Sequence, residues 1–94
     1  MDDAVLNSQH LITFKLLVEQ ESFTQTARSL GITQPAVSQH IQKLEQELGR
    51  VLLIRHGRKI ELTPAGRTLY QHAQDLEKEY QSLMMRWPQT AEAC

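Results

Sequence analysis

Residues 22–49, SFTQTARSLGITQPAVSQHIQKLEQELG, constrain this chain more than any other stretch. They read as two short amphipathic helices joined by a turn that contains glycine. Ala27 stands four residues before Gly31, and Val37 follows six residues after it. A small residue at the first position lets the two helices approach closely. A glycine ending the first helix takes a positive φ without a Cβ penalty. The apolar residue after the turn packs the second helix back on the first. Such a helix-turn-helix can offer its second helix to the major groove of DNA. The same pair would also suit a helical hairpin in another small domain, and the flanking sequence decides between the two.

Upstream, Leu11, Phe14, Leu17 and Val18 form an apolar stripe at helical spacing, with Asn7 or Ser8 as cap and Glu21-Ser22 as the end. Thr24 is expected to cap the second helix, which stops at Gly31. Thr33 is expected to cap the third, with Pro35 in its first turn, where no intrahelical N–H is lost. Val37, Ile41, Leu44 and Leu48 are its expected core stripe, and Gly49 ends it. Gln34, Ser38, Gln39, Gln42 and Lys43 lie on the opposite face, which carries no charge before Lys43.

Downstream, residues 52–55 and 59–62 are short β-type runs around His56-Gly57-Arg58. A two-stranded hairpin does not stand alone in water, so it must pack on the helices. Leu52, Ile54, Ile60 and Leu62 are its expected inner side. A helix-turn-helix followed by a basic hairpin is a winged helix. Thr63-Pro64 then caps and starts a last helix that meets no further breaker, apart from Gly66 in its first turn, before Trp87-Pro88. Its apolar positions, Leu69, Ala73, Leu76, Tyr80, Leu83 and Trp87, advance by alternating steps of four and three. That is a heptad pattern, and a helix of about 23 residues is roughly 35 Å long. A domain this small cannot bury the whole length, so these six residues are the expected dimer interface. The competing arrangement is one helix lying across its own domain.

The chain of 94 residues is enough for one small domain. The fold class read from it is mainly α. A winged helix-turn-helix of three helices and a two-stranded wing covers 1–62, a dimerisation linker helix covers 63–87, and a disordered tail or the start of a hinge covers 88–94. The formal net charge is −1, but its distribution matters more. Residues 50–67 carry Arg50, Arg55, Arg58, Lys59 and Arg67 against Glu61 alone, while both ends of the chain are acidic. A polyanion would meet a local basic face beside the proposed recognition helix. The single cysteine, Cys94, excludes an internal disulfide. His10, His56 and His72 lack metal-ligand spacing, so no metal or cofactor is expected. No apolar run is long enough to span a bilayer, and the acidic N-terminus is wrong for a secretory signal. The expected location is cytoplasmic, at the nucleoid. No Gly-rich phosphate loop, carboxylate pair or nucleophile–base pattern points to an enzyme.

The chain resembles the N-terminal DNA-binding domain of the LysR-type bacterial transcription regulators. The resemblance rests on Leu11 and Phe14, on Ser22-Phe23-Thr24, Ala27 and Leu30, and on the run from Thr33 to Ser38. It continues through Ile41, Leu44-Glu45, Leu48-Gly49, Leu52, Arg55, Arg58, Leu62-Thr63, Ala65-Gly66 and Leu69. It covers residues 8 to about 85, and the TQPAVS-x2-I-x2-LE-x2-LG run is specific. Thr26 stands where a second alanine is usual, and Leu53 where phenylalanine is usual. The resemblance implies a linker helix that pairs two subunits. It also implies a larger effector-binding domain, which is not in this chain.

It further implies base-edge contacts from Gln34, Pro35 and Ser38, and a variable, operator-tuning role for Gln39. The residue chemistry agrees, since glutamine can bond adenine through N6 and N7 and a proline ring can pack on a thymine methyl. Thr24, Thr33 and Lys43 are expected phosphate contacts. Arg58 at the wing tip is expected on the backbone or in the minor groove. Arg55 either holds the wing internally or touches phosphate, and Lys59 is peripheral to the same surface. The expected partner is double-stranded DNA carrying an interrupted inverted repeat, bound by a homodimer. The competing reading is a protein-interaction module that forms mixed dimers through the last helix.

Overall fold

A computed structural model describes residues 7–88. Its elements are α1 (Ser8–Gln20), α2 (Phe23–Leu30), α3 (Gln34–Leu48), β1 (Leu53–His56), β2 (Lys59–Leu62) and α4 (Pro64–Arg86). The expected tail, including Cys94, lies outside the described residues beyond Pro88.

Each helix begins on a side chain that accepts a hydrogen bond from an otherwise unpaired backbone N–H. Asn7 accepts from His10, Thr33 from Ala36 and Thr63 from Gly66. The second helix corrects the sequence reading. Its cap is Ser22, whose Oγ accepts from Gln25 N at 3.0 Å, and Thr24 lies inside the first turn. Ser22 has the extended backbone that a cap needs, at φ −155° and ψ 122°. Thr24, freed from capping, has its hydroxyl available for other partners.

Helices α1, α2 and α3 pack together around Leu11, Phe14, Leu17, Ala27, Val37, Ile41 and Leu44. Leu52 closes the core beneath the wing, and Leu69 and Ala73 bring α4 across α1. Burying Phe14, Leu17, Val37, Leu44 and Leu52, each nearly inaccessible, stabilises the fold by roughly 1.5–3 kcal/mol per side chain. Thr26, at the position where alanine is usual, is also fully buried. Its hydroxyl donates to the Ser22 carbonyl at 2.8 Å, so the polar group is satisfied within its own helix.

Leu48 departs from expectation. It ends the apolar stripe of α3 but is 40% exposed, because the last turn runs past the end of the core. The hairpin departs by one residue. The sequence reading placed the first strand at 52–55 with Ile54 inward, whereas β1 is Leu53–His56 and Ile54 is 43% exposed. Side chains alternate along a strand, so the inward set is Leu53, with Ile60 and Leu62 from β2. Leu52 is buried as expected, but from the segment before the strand. His56 pairs with Lys59, leaving a two-residue loop of Gly57 and Arg58 with Gly57 at φ 58°.

Helix α4 has two regimes. Leu69 and Ala73, expected in the dimer interface, are instead buried in this domain's own core and hold the first turns, and Tyr70 packs against the same core. From Leu76 onward its apolar residues are open, with Leu76 45% and Tyr80 61% exposed. The helix therefore crosses its own domain with one half and leaves the other half uncovered. No helix among the described residues is long and apolar enough to cross a membrane.

Candidate nucleic-acid interface

The turn between α2 and α3 is built on Gly31. At φ 69° it brings its own N–H onto Arg28 O and the next N–H, that of Ile32, onto Ala27 O. The chain then reverses, and Thr33 starts α3 with its hydroxyl on Ala36 N at 3.2 Å. Gln34 and Pro35 thus open the helix at its exposed end, and Gln39 is exposed further along. Ser38 is half-buried, one turn beyond Gln34. Lys43 is exposed further toward the C-terminus.

Two of the sequence-selected residues are joined directly. Gln34 Nε2 donates to Thr24 Oγ1 at 2.6 Å, ten residues back in the chain. This bond ties the first turn of α2 to the first turn of α3 at the surface.

The wing splits its cations. The Arg55 guanidinium lies over the Phe23 ring at 4.2 Å from the centroid, which anchors β1 to the start of α2. The contact supports the wing from within, one of the two roles open to Arg55 in the sequence, and Arg55 itself remains exposed. Arg58 occupies the loop and Lys59 begins β2, both exposed. Beside them, His56 Nε2 lies 3.0 Å from Glu61 Oε1.

Three supports of this surface escaped the sequence reading. Glu45 Oε2 accepts from Leu52 N at 2.9 Å and so fixes the path from α3 into the wing. Its apolar-Glu spacing was visible in the LE pair, but its partner lies seven residues on. Thr63, besides capping α4, donates to Val51 O at 2.6 Å. The third support is His40, on α3, whose Nδ1 sits 2.7 Å from Thr13 Oγ1 and whose ring lies 4.7 Å from that of His10. His40 therefore faces α1. Burial, and secondarily the neighbouring His10, hold its imidazole below the ordinary histidine pKa.

Behind this surface, α1 and α4 are joined by a charged link. Lys15 Nζ lies 2.6 Å from Glu19 Oε2 and 2.8 Å from Glu77 Oε1. Both carboxylates raise the lysine pKa, so it stays charged. Tyr70 OH donates to the same Glu19 oxygen at 3.0 Å. An apolar groove with Leu11, Ile12, Leu16, Leu48, Leu76 and Tyr80 on its walls runs alongside.

Residues 8–67 match the model of the bacterial regulatory helix-turn-helix proteins of the lysR family. The chain belongs to the LysR family. It is 48% identical over 66 residues to the probable HTH-type transcriptional regulator LtrA of Klebsiella pneumoniae, covering 70% of this chain and 21% of LtrA. It is also 48% identical over 65 residues to the HTH-type transcriptional regulator BenM of Acinetobacter baylyi, covering 69% of this chain and 21% of BenM. The chain thus spans about a fifth of the length of these relatives. Among solved structures, the BenM DNA-binding domain in complex with catB site 1 DNA has 41% identity and a TM-score of 0.76. It covers 83% of this chain and 88% of that one. The Corynebacterium glutamicum OxyR C206 mutant has 32% identity and a TM-score of 0.76, covering 88% of this chain and 26% of that one. The helix-turn-helix and wing of this LysR-family chain are those of a LysR-type DNA-binding domain.

Proposed function

We propose that this chain reads specific double-stranded DNA as a homodimer in the regulation of bacterial transcription. The observation that carries the reading is the pairing of two surfaces. The exposed start of α3 is uncharged, with polar Gln34 and Gln39 and the ring of Pro35, and the exposed wing tip is cationic at Arg58 and Lys59. Amide and hydroxyl groups suit base edges, and guanidinium and ammonium groups suit phosphates. In this reading Gln34, Pro35, Ser38 and Gln39 select sequence, and Thr24, Thr33, Lys43, Arg58 and Lys59 position the duplex. Arg55 contributes by supporting the wing. The mechanism is equilibrium binding, with no chemical step, at the nucleoid of the bacterial cytoplasm.

The uncovered half of α4 supports the dimer. Leu76, Tyr80 and Leu83 are exposed apolar residues on this half, and Leu76 and Tyr80 also line the groove against α1. A second copy of this helix, with the same heptad pattern, would cover it. Two recognition helices held this way meet successive major grooves and demand an interrupted inverted repeat. The same open face also favours a second reading, mixed dimers without sequence reading.

The experiment is selection from a random duplex pool with the 94-residue chain at near-physiological salt. An enriched interrupted inverted repeat is the expected result. A dimer that enriches no sequence would favour the interaction-module reading.

A further inference from the structure

Thr24 and Gln34 are treated separately by any reading that sorts contacts into phosphate and base. Their side chains meet at 2.6 Å, with Gln34 Nε2 as donor and Thr24 Oγ1 as acceptor. Thr24 does not cap α2, because Ser22 does, so its hydroxyl is not occupied by the backbone of its own helix. Both residues are exposed, on the surface assigned to DNA.

We propose that Thr24 is a positioning residue for base readout, and that its hydroxyl fixes which edge of the Gln34 amide faces the groove. The proposal rests on the reading of α3 as a base-reading helix. A threonine hydroxyl has one proton and two acceptor lone pairs. Toward a phosphate it can only donate, since phosphate oxygens only accept. With its proton so used, Thr24 Oγ1 can serve Gln34 only as an acceptor. The Gln34 amide must then turn an N–H toward Thr24. Its carbonyl oxygen and second N–H remain for the duplex, and these complement the N6 donor and N7 acceptor of adenine. The reversed amide would present its carbonyl to an oxygen with no proton left to give. Phosphate docking at the start of α2 therefore sets the hydrogen-bond pattern at the start of α3. Thr24 carries sequence information without touching a base.

The test takes the full chain, Thr24→Val, Thr24→Ser, Gln34→Ala and the Thr24→Val/Gln34→Ala pair through selection from one random duplex pool. Affinities are then measured for duplexes that differ at each enriched position. Thr24 is exposed and is not the cap, so valine replaces it without breaking α2, and circular dichroism checks this. The expected result is that the base preference lost in Gln34→Ala is also lost in Thr24→Val, by roughly tenfold. Preferences at other positions stay, Thr24→Ser restores the lost one, and the double variant discriminates no worse there than Gln34→Ala. If Thr24→Val instead weakens all duplexes by one factor and keeps the preference that Gln34→Ala loses, Thr24 is a phosphate contact only and the proposal is overturned. If Gln34→Ala changes no base preference, the reading of Gln34 fails, and the proposal falls with it.

Discussion

The carbonyl oxygen of Leu52 occupies the space where a side chain at Gly66 would begin. A Cβ built on Gly66 collides with that oxygen and lies 3.1 Å from the Leu52 carbonyl carbon. The contact is backbone against backbone, so no side chain can swing aside. Thr63 N also donates to Leu52 O, at 3.1 Å, and Gly66 N donates to Thr63 Oγ1 at 2.9 Å. One carbonyl thus seats the start of α4 against the segment that leads into the wing.

Gly66→Ala should therefore destabilise the domain. Alanine favours a helix over glycine by up to about 1 kcal/mol, which works against the effect. Overpacking a site that cannot yield costs typically about 1–3 kcal/mol, and here the obstacle is main chain. The expected net result is a lower midpoint in urea unfolding with an unchanged slope. A variant as stable as the parent would show that α4 can shift away from Leu52.

Stability should also fall as pH drops through the histidine range. His40 is held below its ordinary pKa of 6.5 by burial and, to a lesser degree, by His10. The unfolded chain then binds a proton before the native state does, so the stability present above about 6.5 is lost as pH falls from there toward the native value. The groups facing His40 are His10 and the Thr13 hydroxyl, both on α1. Melting temperatures across this range should fall less steeply for His10→Gln, which removes the secondary cause. They should fall less steeply still for His40→Gln. Parallel curves for all three proteins would remove this pair as the source.

The helices were legible in the sequence because each start and stop is a local event. Asn7, Thr33, Gly31, Gly49 and Thr63-Pro64 act on backbone groups within a turn of themselves. The cap of α2 was misplaced because Ser22 and Thr24 are both competent. The choice depends on which of them takes the extended conformation after Glu21, itself left-handed at φ 54°. The wing slipped by one residue because VLLI is apolar throughout. With no alternation to read, the facing residue is set by tertiary anchors, Glu45 on Leu52 N and Thr63 on Val51 O. The candidate interface residues could be chosen from the sequence by type and position, but their partners could not. The Gln34–Thr24 bond and the Arg55–Phe23 contact join separate elements and leave no periodic signal.

Arg58 and Arg55 should separate in their salt dependence. Arg58 sits exposed in the wing loop, whereas Arg55 is stacked on Phe23. Arg58→Ala should weaken binding to selected and random duplexes alike and reduce the slope of log affinity against log salt by about 1. Titrations at several salt concentrations check this. An unchanged slope would take Arg58 off the phosphate-contacting surface.

The open half of α4 yields the last prediction. Leu76 is 45% exposed and lies on the groove between α1 and α4, next to the Lys15–Glu77 pair. A carboxylate there would cost the isolated chain little, since the position already meets water. In a two-chain packing the same carboxylate would be buried without a partner, which is strongly unfavourable. Leu76→Asp should keep the helical circular dichroism of the parent and sediment as a monomer at micromolar concentration, where the parent should sediment as a dimer. Its binding to an inverted repeat should fall toward that of a single half-site, because the second recognition helix is no longer tethered. A dimer that survives the substitution would move the seam away from the Leu76 face. The spacing of the two recognition helices would then need another anchor.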